Sequence, residues 1–154
     1  MTLGLISDTH GFLDPRVEKI FAGVDHILHA GDIGPDLLIA QLGAIAPVTA
    51  VLGNNDSSPS FRLTETVVLA ERKFLLHHIV NPRSPSDELK TSLRRAQPHV
   101  VVFGHTHKPF NETIGGVWFL NPGYAGSPRF NQPRSVALLD FGKGKFSLRF
   151  VELP

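Results

Sequence analysis

Apolar residues in this chain come in short, nearly unbroken runs instead of alternating with polar ones. Leu3–Ile6, Ile27–Leu28, Val48–Leu52, Phe74–Leu76 and Val100–Phe103 are rich in aliphatic and β-branched residues, and each stops abruptly at a polar segment. Continuous apolarity over so few residues predicts strands covered on both faces. Helical signals lie between several of them. Asp14 before Pro15 supplies a cap and a favoured first position, and Val17, Ile20 and Phe21 recur at helical spacing. Pro35 can open a second helix through Leu37, Leu38, Gln41 and Leu42. Ser86 can cap a third, with Leu89, Leu93 and Ala96 on one face and Pro98 beyond its end. Strand, helix and strand in repetition predict a largely parallel sheet.

The last third of the chain changes character. Thr113–Ile114, Val117–Leu120, Val136–Leu139 and Phe146–Phe150 read as strands joined at Gly115-Gly116 and Gly142-Lys143-Gly144, with no room for helices between them. Antiparallel pairing is expected there. This segment is too short for a core of its own, and 154 residues suit one domain. The expected architecture is therefore α/β, with two packed mixed β-sheets flanked by helices and residues 1–154 forming a single domain.

Composition narrows the function classes. An apolar fraction of 42% and a charged fraction of 19% describe an ordinary soluble globular protein. The formal charge of +1 gives no general attraction to nucleic acid or to an acidic membrane. The absence of cysteine removes thiolate metal ligands and leaves oxygen and imidazole donors. Leu3–Ile6 is too short for a leader or a membrane span, so a cytoplasmic enzyme without membrane contact is expected.

The chemistry sits where the apolar runs end. They lead into Ser7-Asp8-Thr9-His10, His29-Ala30-Gly31-Asp32, Gly53-Asn54-Asn55-Asp56, His77-His78 and Gly104-His105-Thr106-His107. In a parallel sheet the carboxyl ends of the strands share one edge, where ligands bind in open α/β folds. Asp8, His10, Asp32, Asn54, His77, His105 and His107 can therefore meet in one pocket. Seven ligands exceed one tetrahedral zinc and suit two divalent ions bridged by a carboxylate, for which Asp32 is the natural choice. Imidazole with carboxylate and amide oxygen is a set of intermediate hardness. It admits manganese, iron, zinc, cobalt or nickel alike and disfavours calcium, and manganese is the metal expected first.

Taken in order, Asp8-x-His10, Gly31-Asp32, Gly53-Asn54-x-Asp56, His77 and Gly104-His105-x-His107 resemble the motif series of the calcineurin-like metallophosphoesterase superfamily, and most of all its small single-domain bacterial and archaeal phosphodiesterases. Asn121-Pro122-Gly123 with Ser127-Pro128-Arg129 extends the resemblance to nearly the whole chain. The resemblance implies a four-layer sandwich with one metal held by Asp8, His10, Asp32 and His107, and a second by Asp32, Asn54, His77 and His105. It further implies hydrolysis of a small phosphodiester by a hydroxide bridging the two ions. Asn55 stands where many members carry a histidine that protonates the leaving group. An amide can bond a phosphate oxygen but has no proton to give near neutral pH, which favours diesters over alkyl monoesters.

Three further residues are assigned to the substrate. His78 follows the proposed ligand His77, Tyr124 could cover the substrate or stack on a base, and Arg83 could meet a phosphate, as could Arg129 and Arg134. His26 and His99 are read as solvated residues beside strands, and His29 as a packed residue behind the ligands. The alternatives are a non-catalytic protein-interaction scaffold of the same fold and a phosphomonoesterase. Retention of His10, His77, His105 and His107 argues against the scaffold. Nucleic acid remains open as a substrate although no extended basic groove is evident, and self-association is left open.

Overall fold

The computed structural model describes residues 1–154 as thirteen elements: β1 (Thr2–Ile6), α1 (Arg16–Ile20), β2 (His26–His29), α2 (Leu37–Gly43), β3 (Val48–Ala50), β4 (Thr64–Leu69), β5 (Arg72–His77), α3 (Asp87–Ala96), β6 (Val100–Val102), β7 (Phe110–Ile114), β8 (Val117–Asn121), β9 (Ser135–Gly142) and β10 (Lys145–Glu152). They form two five-stranded sheets, ordered β10-β9-β1-β2-β3 and β4-β5-β6-β8-β7. β1, β2 and β3 are parallel, as are β5, β6 and β8. The expected pair of mixed sheets is present.

Alternation within the apolar runs sorts their side chains into layers. Leu3, Leu5, Leu28, Phe74, Leu76, Val100, Val102, Leu120, Ala137 and Leu139 pack together between the sheets. Ile6 and Ile27 turn to the other face of their sheet and pack with Val17, Phe21, Leu38 and Leu42 from the α1 and α2 region. Leu75, Val101 and Phe119 likewise leave the inter-sheet layer and meet Leu89 of α3. The central strands β1, β2, β5, β6 and β8 are thus covered on both faces, which is why their apolar runs show no polar face. The result is a helix, sheet, sheet, helix sandwich. No helix is long and apolar enough to cross a membrane.

Local expectations fare unevenly. Ser86 caps α3, its hydroxyl accepting from Leu89 N–H, and Gln97 ends the helix in a left-handed conformation. α1 is only five residues long, with Pro15 at its cap and Phe21 just past its end. Asp14 contributes by accepting the Arg16 N–H at 2.9 Å. β4 is an edge strand, polar over Thr64–Thr66 and apolar over Val67–Leu69, that is absent from the expected strands. The last third is also divided: β7 pairs antiparallel with β8, which lies parallel to β6, whereas β9 and β10 return to the first sheet beside β1.

Candidate metal centre

Register brings the chemistry to one edge. Ile6, His29 and Ala50 are aligned at the carboxyl ends of β1, β2 and β3, and Leu76, Val102 and Leu120 at those of β5, β6 and β8. The loops just beyond these positions therefore converge between the two sheets. Their backbone is unusual: Asp8, His10, Asp32, His105 and His107 all have positive φ, between 47° and 71°. Left-handed conformations are costly for side-chain-bearing residues and persist where the surroundings hold them.

At the centre, imidazole nitrogens and carboxylate oxygens face one another with no donor between them. His78 Nδ1 lies 2.7 Å from the Ala30 carbonyl oxygen. A carbonyl only accepts, so this nitrogen carries the proton and the lone pair is on Nε2. That lone pair faces Asp32 Oδ2 at 3.3 Å and Asp8 Oδ1 at 3.7 Å. His10 Nε2 stands 3.7 Å from Asp32 Oδ2 and 4.0 Å from Asp8 Oδ1, and His107 Nε2 stands 3.5 Å from Asp8 Oδ1. Asp8 Oδ1, His10 Nε2 and His78 Nε2 are buried without a hydrogen-bond partner. Buried acceptors facing one another need a cation. Two donor atoms each about 2.1 Å from one ion stand about 3–3.5 Å apart, close to these separations. Two groups reach such proximity, Asp8 with His10 and His107, and Asp8 with Asp32 and His78. The donors fit a divalent metal, and the backbone bond that orients His78 is the usual support for a metal-binding imidazole.

Asn54 and His105 complete the rim. Their side chains approach each other at 3.1 Å, Asn54 Oδ1 to His105 Nδ1, and the His105 ring lies 5.4 Å from that of His78. Asn55 is bonded twice to Asp32, through its N–H to Oδ1 and its amide nitrogen to Oδ2, each at 3.0 Å. Burial works to raise the Asp32 carboxyl, but the Asn55 bonds together with His78 and His10 leave it below its ordinary value. Asp8 is driven the other way: burial raises it, against the opposing influence of His78, Ser7, His107 and the His105 amide.

Several supports were not assigned in advance. Asp56 accepts from the backbone N–H groups of Ile33, Gly34 and Gly53 at 2.9–3.1 Å and so ties the loops after β2 and β3 together. Asn121 donates to Gly104 O and Thr106 Oγ1, each at 3.1 Å, and holds the loop of His105 and His107. Two glycines permit the close approach. A Cβ on Gly104 would strike the Ser7 hydroxyl and lie 2.7 Å from Asp8 Oδ2, and one on Gly53 would strike the Asp32 carboxylate. Both motifs contain the signal, since Asp56 and Asn121 lie inside the segments noted from sequence, but nothing in spacing says that they face the backbone.

The structure separates the two adjacent histidines differently from the sequence reading. His77 lies on the face of β5 shared with Leu75, turned away from the centre, with Nδ1 2.8 Å from Thr64 Oγ1. His78 falls on the inter-sheet side with Phe74 and Leu76, and there it meets Asp8 and Asp32. Period-two alternation makes this choice. The other substrate assignments also change. Tyr124 is fully buried, donates its hydroxyl to Ser127 O at 2.9 Å and packs against His107 with 4.7 Å between ring centres, so it backs the His107 ring and has no face open to a substrate. Arg83 forms a bidentate pair with Glu112 at 2.9 and 3.0 Å. Arg134 is buried and bound to Asp14 at 2.8 Å, while Arg129 lies 5.1 Å over the Tyr124 ring.

The remaining histidines follow their surroundings. His99 is exposed and its Nδ1 accepts from Lys73 N–H at 2.9 Å. His26 is half-buried and bonded to Thr49 Oγ1 at 2.8 Å, and burial lowers its pKa. His29 is completely buried behind the loops: Nδ1 accepts from Gly31 N–H at 3.1 Å, so Nε2 donates to Thr9 Oγ1 at 2.9 Å, which in turn donates to Ile33 O. Burial lowers its pKa to about 3 and keeps it neutral.

With this geometry in hand, residues 1–144 match the calcineurin-like phosphoesterase superfamily domain. The chain belongs to that superfamily. It is 34% identical over 150 residues to a probable metallophosphoesterase of Methanothermobacter thermautotrophicus, covering 90% of this chain and 85% of that one. It is 31% identical over 168 residues to the phosphodiesterase YfcE of Escherichia coli K12, covering 91% and 88%. Among solved structures, wild-type Vps29 from Entamoeba histolytica, complexed with zinc, superposes with a TM-score of 0.75 at 23% identity over 99% of both chains, a likeness of fold. Family and site together make this member of the superfamily a metal-dependent phosphoester hydrolase.

Proposed function

We propose that the chain hydrolyses small phosphodiesters at a two-metal centre. Asp8, His10, Asp32 and His107 would hold one ion, and Asp32, Asn54, His78 and His105 the other, with manganese the first metal to test. Residues 1–154 would act as one domain, since both sheets contribute ligands. The observation that carries this reading is the His78 Nε2 lone pair aimed at two carboxylates, 3.3 and 3.7 Å away, with no donor between them. Asp32 is the favoured bridge because its Oδ2 faces His10 of one set and His78 of the other.

Bound there, two divalent ions would supply Lewis acidity, lowering the pKa of water and offsetting charge on the phosphoryl oxygens. The protein's own part is orientation. Ala30 O keeps the His78 proton on Nδ1, Asn55 holds both oxygens of Asp32, and Tyr124 backs His107. Asn55 is solvent-exposed beside Asp32 and offers an amide where an acid would assist a poor leaving group. Preference for diesters with acidic leaving groups follows.

The test is hydrolysis of bis-p-nitrophenyl phosphate and p-nitrophenyl phosphate by metal-stripped protein, before and after manganese. The expected result is a manganese-dependent diester rate above the monoester rate. Absence of a metal-dependent rate on both compounds would overturn the enzyme reading, and a faster monoester would overturn the argument from Asn55.

A further inference from the structure

A cavity of about 490 Å³ opens beside the centre, and His105 lines both. Its volume lies within the usual range for small-molecule pockets. Apart from His105 and a polar rim, the walls are apolar: Ile79 and Pro82 from the segment after β5, and Phe103 and Phe110 from the segments around the His105 loop. Phe103 and Phe110 meet edge to face with ring centres 5.7 Å apart. Ile79 is 49% exposed, a large aliphatic side chain with its outer part open to solvent. Lys108 stands at the rim as the cation of the cavity. The Arg83–Glu112 pair described above joins the segment of Ile79 and Pro82 to the strand of Phe110, and so ties one wall to the other.

Resting on the phosphodiester reading of the centre, the geometry points to this cavity as the subsite for one ester arm of the substrate, and to that arm as flat and apolar, an aryl group or a nucleobase. Three observations support that occupant over a protein segment or a second copy. His105 lines both the cavity and the reacting site, the cavity's only charged side chain complements an anionic phosphate, and its Phe110 and proline walls suit the face of a ring. A small alkyl arm would leave the walls wet. The pocket therefore selects among diesters by the arm that it covers, and Ile79 and Phe110 are specificity-determining residues.

The test uses calorimetric binding of phenylphosphonate and methylphosphonate to the manganese-loaded protein, because these anions are not hydrolysed and differ only in the arm. Burying a ring in place of a methyl predicts about tenfold tighter binding of the phenyl compound. Ile79→Asn and Phe110→Ser should each bring the two affinities within about threefold of one another by weakening the phenyl compound alone. Equal affinities in the unaltered protein, a preference that survives both substitutions, or binding of neither anion would each overturn the subsite. Turnover of bis-p-nitrophenyl phosphate, followed in parallel, separates this from the hydrolase reading: a phenyl preference without turnover sinks only the latter, and turnover without a preference sinks only the former.

Discussion

Two buried polar clusters in this molecule have opposite character. In the first, Asp14 accepts from Arg16 Nε at 2.9 Å, from Arg16 Nη2 at 2.7 Å and from Arg134 Nη2 at 2.8 Å, and Arg134 also donates to Gly126 O. Every charge there has a counterpart. In the second, Asp8, His10 and His78 bring carboxylate and imidazole lone pairs face to face and leave three buried atoms without partners. Satisfied polar clusters hold a structure together, whereas buried acceptors that face one another call for a cation. Function in this chain is visible as incomplete hydrogen bonding, and charge alone would not have distinguished the two sites.

The contrast can be broken most severely at Asp32. Asp32→Ala should reduce diester turnover to background and remove bound metal by elemental analysis, while urea denaturation still reports a folded protein. If Asp8, which faces His10, His78 and His107, were the bridge instead, Asp32→Ala would keep one equivalent of metal.

Acid provides the next largest effect. His29 is neutral in the fold with a pKa near 3, against an ordinary value of 6.5. Below pH 6.5 the unfolded chain takes up a proton that the folded chain refuses, so stability falls as pH drops from about 6.5 toward 3. The loss approaches about 4–5 kcal/mol. Denaturation of metal-free protein across this range should be steeply pH-dependent, and His29→Gln should flatten that dependence. The Asp14 carboxyl is lowered chiefly by Arg16, with Arg134 assisting. Its contribution is present above the ordinary carboxylate pKa and disappears as pH falls through its lower folded value.

Opening the satisfied cluster should cost stability and spare chemistry. Arg134→Met leaves buried Asp14 with Arg16 alone and should destabilise the fold by about 3 kcal/mol in urea titrations, with metal content unchanged. The smallest effects separate neighbours. His78→Ala should lower turnover on the order of 100-fold and weaken metal binding, and His77→Ala should stay within about threefold on both measures. Equal losses from the two substitutions would remove the distinction drawn from β5.

Much of this could be read along the chain. The apolar runs predicted most of the buried strands, Ser86 announced α3 because its hydroxyl can bond a free helix N–H, and the polar residues after each run marked the edge where the centre lies. The errors have a common origin. Tyr124 and Arg83 suit a substrate by residue type, one able to stack on a base and the other to bind a phosphate, but their partners Ser127 and Glu112 are unremarkable or distant in sequence. β4 is missing from the expected strands although Val67–Leu69 is an apolar run as long as Phe74–Leu76, and its polar half, Thr64–Thr66, is what an edge position allows.

By itself, the sequence determined which imidazole and carboxylate residues follow the strands and in what order, because apolar runs and turn-forming glycines act locally. Only the tertiary structure decided which of two adjacent histidines turns inward. A strand buried on both faces is apolar at every position, so its period of two leaves no trace in composition. Phe74 and Leu76 lie in the inter-sheet core and Leu75 beneath α3, and that phase carries His78 to Asp8 and Asp32 and His77 to Thr64.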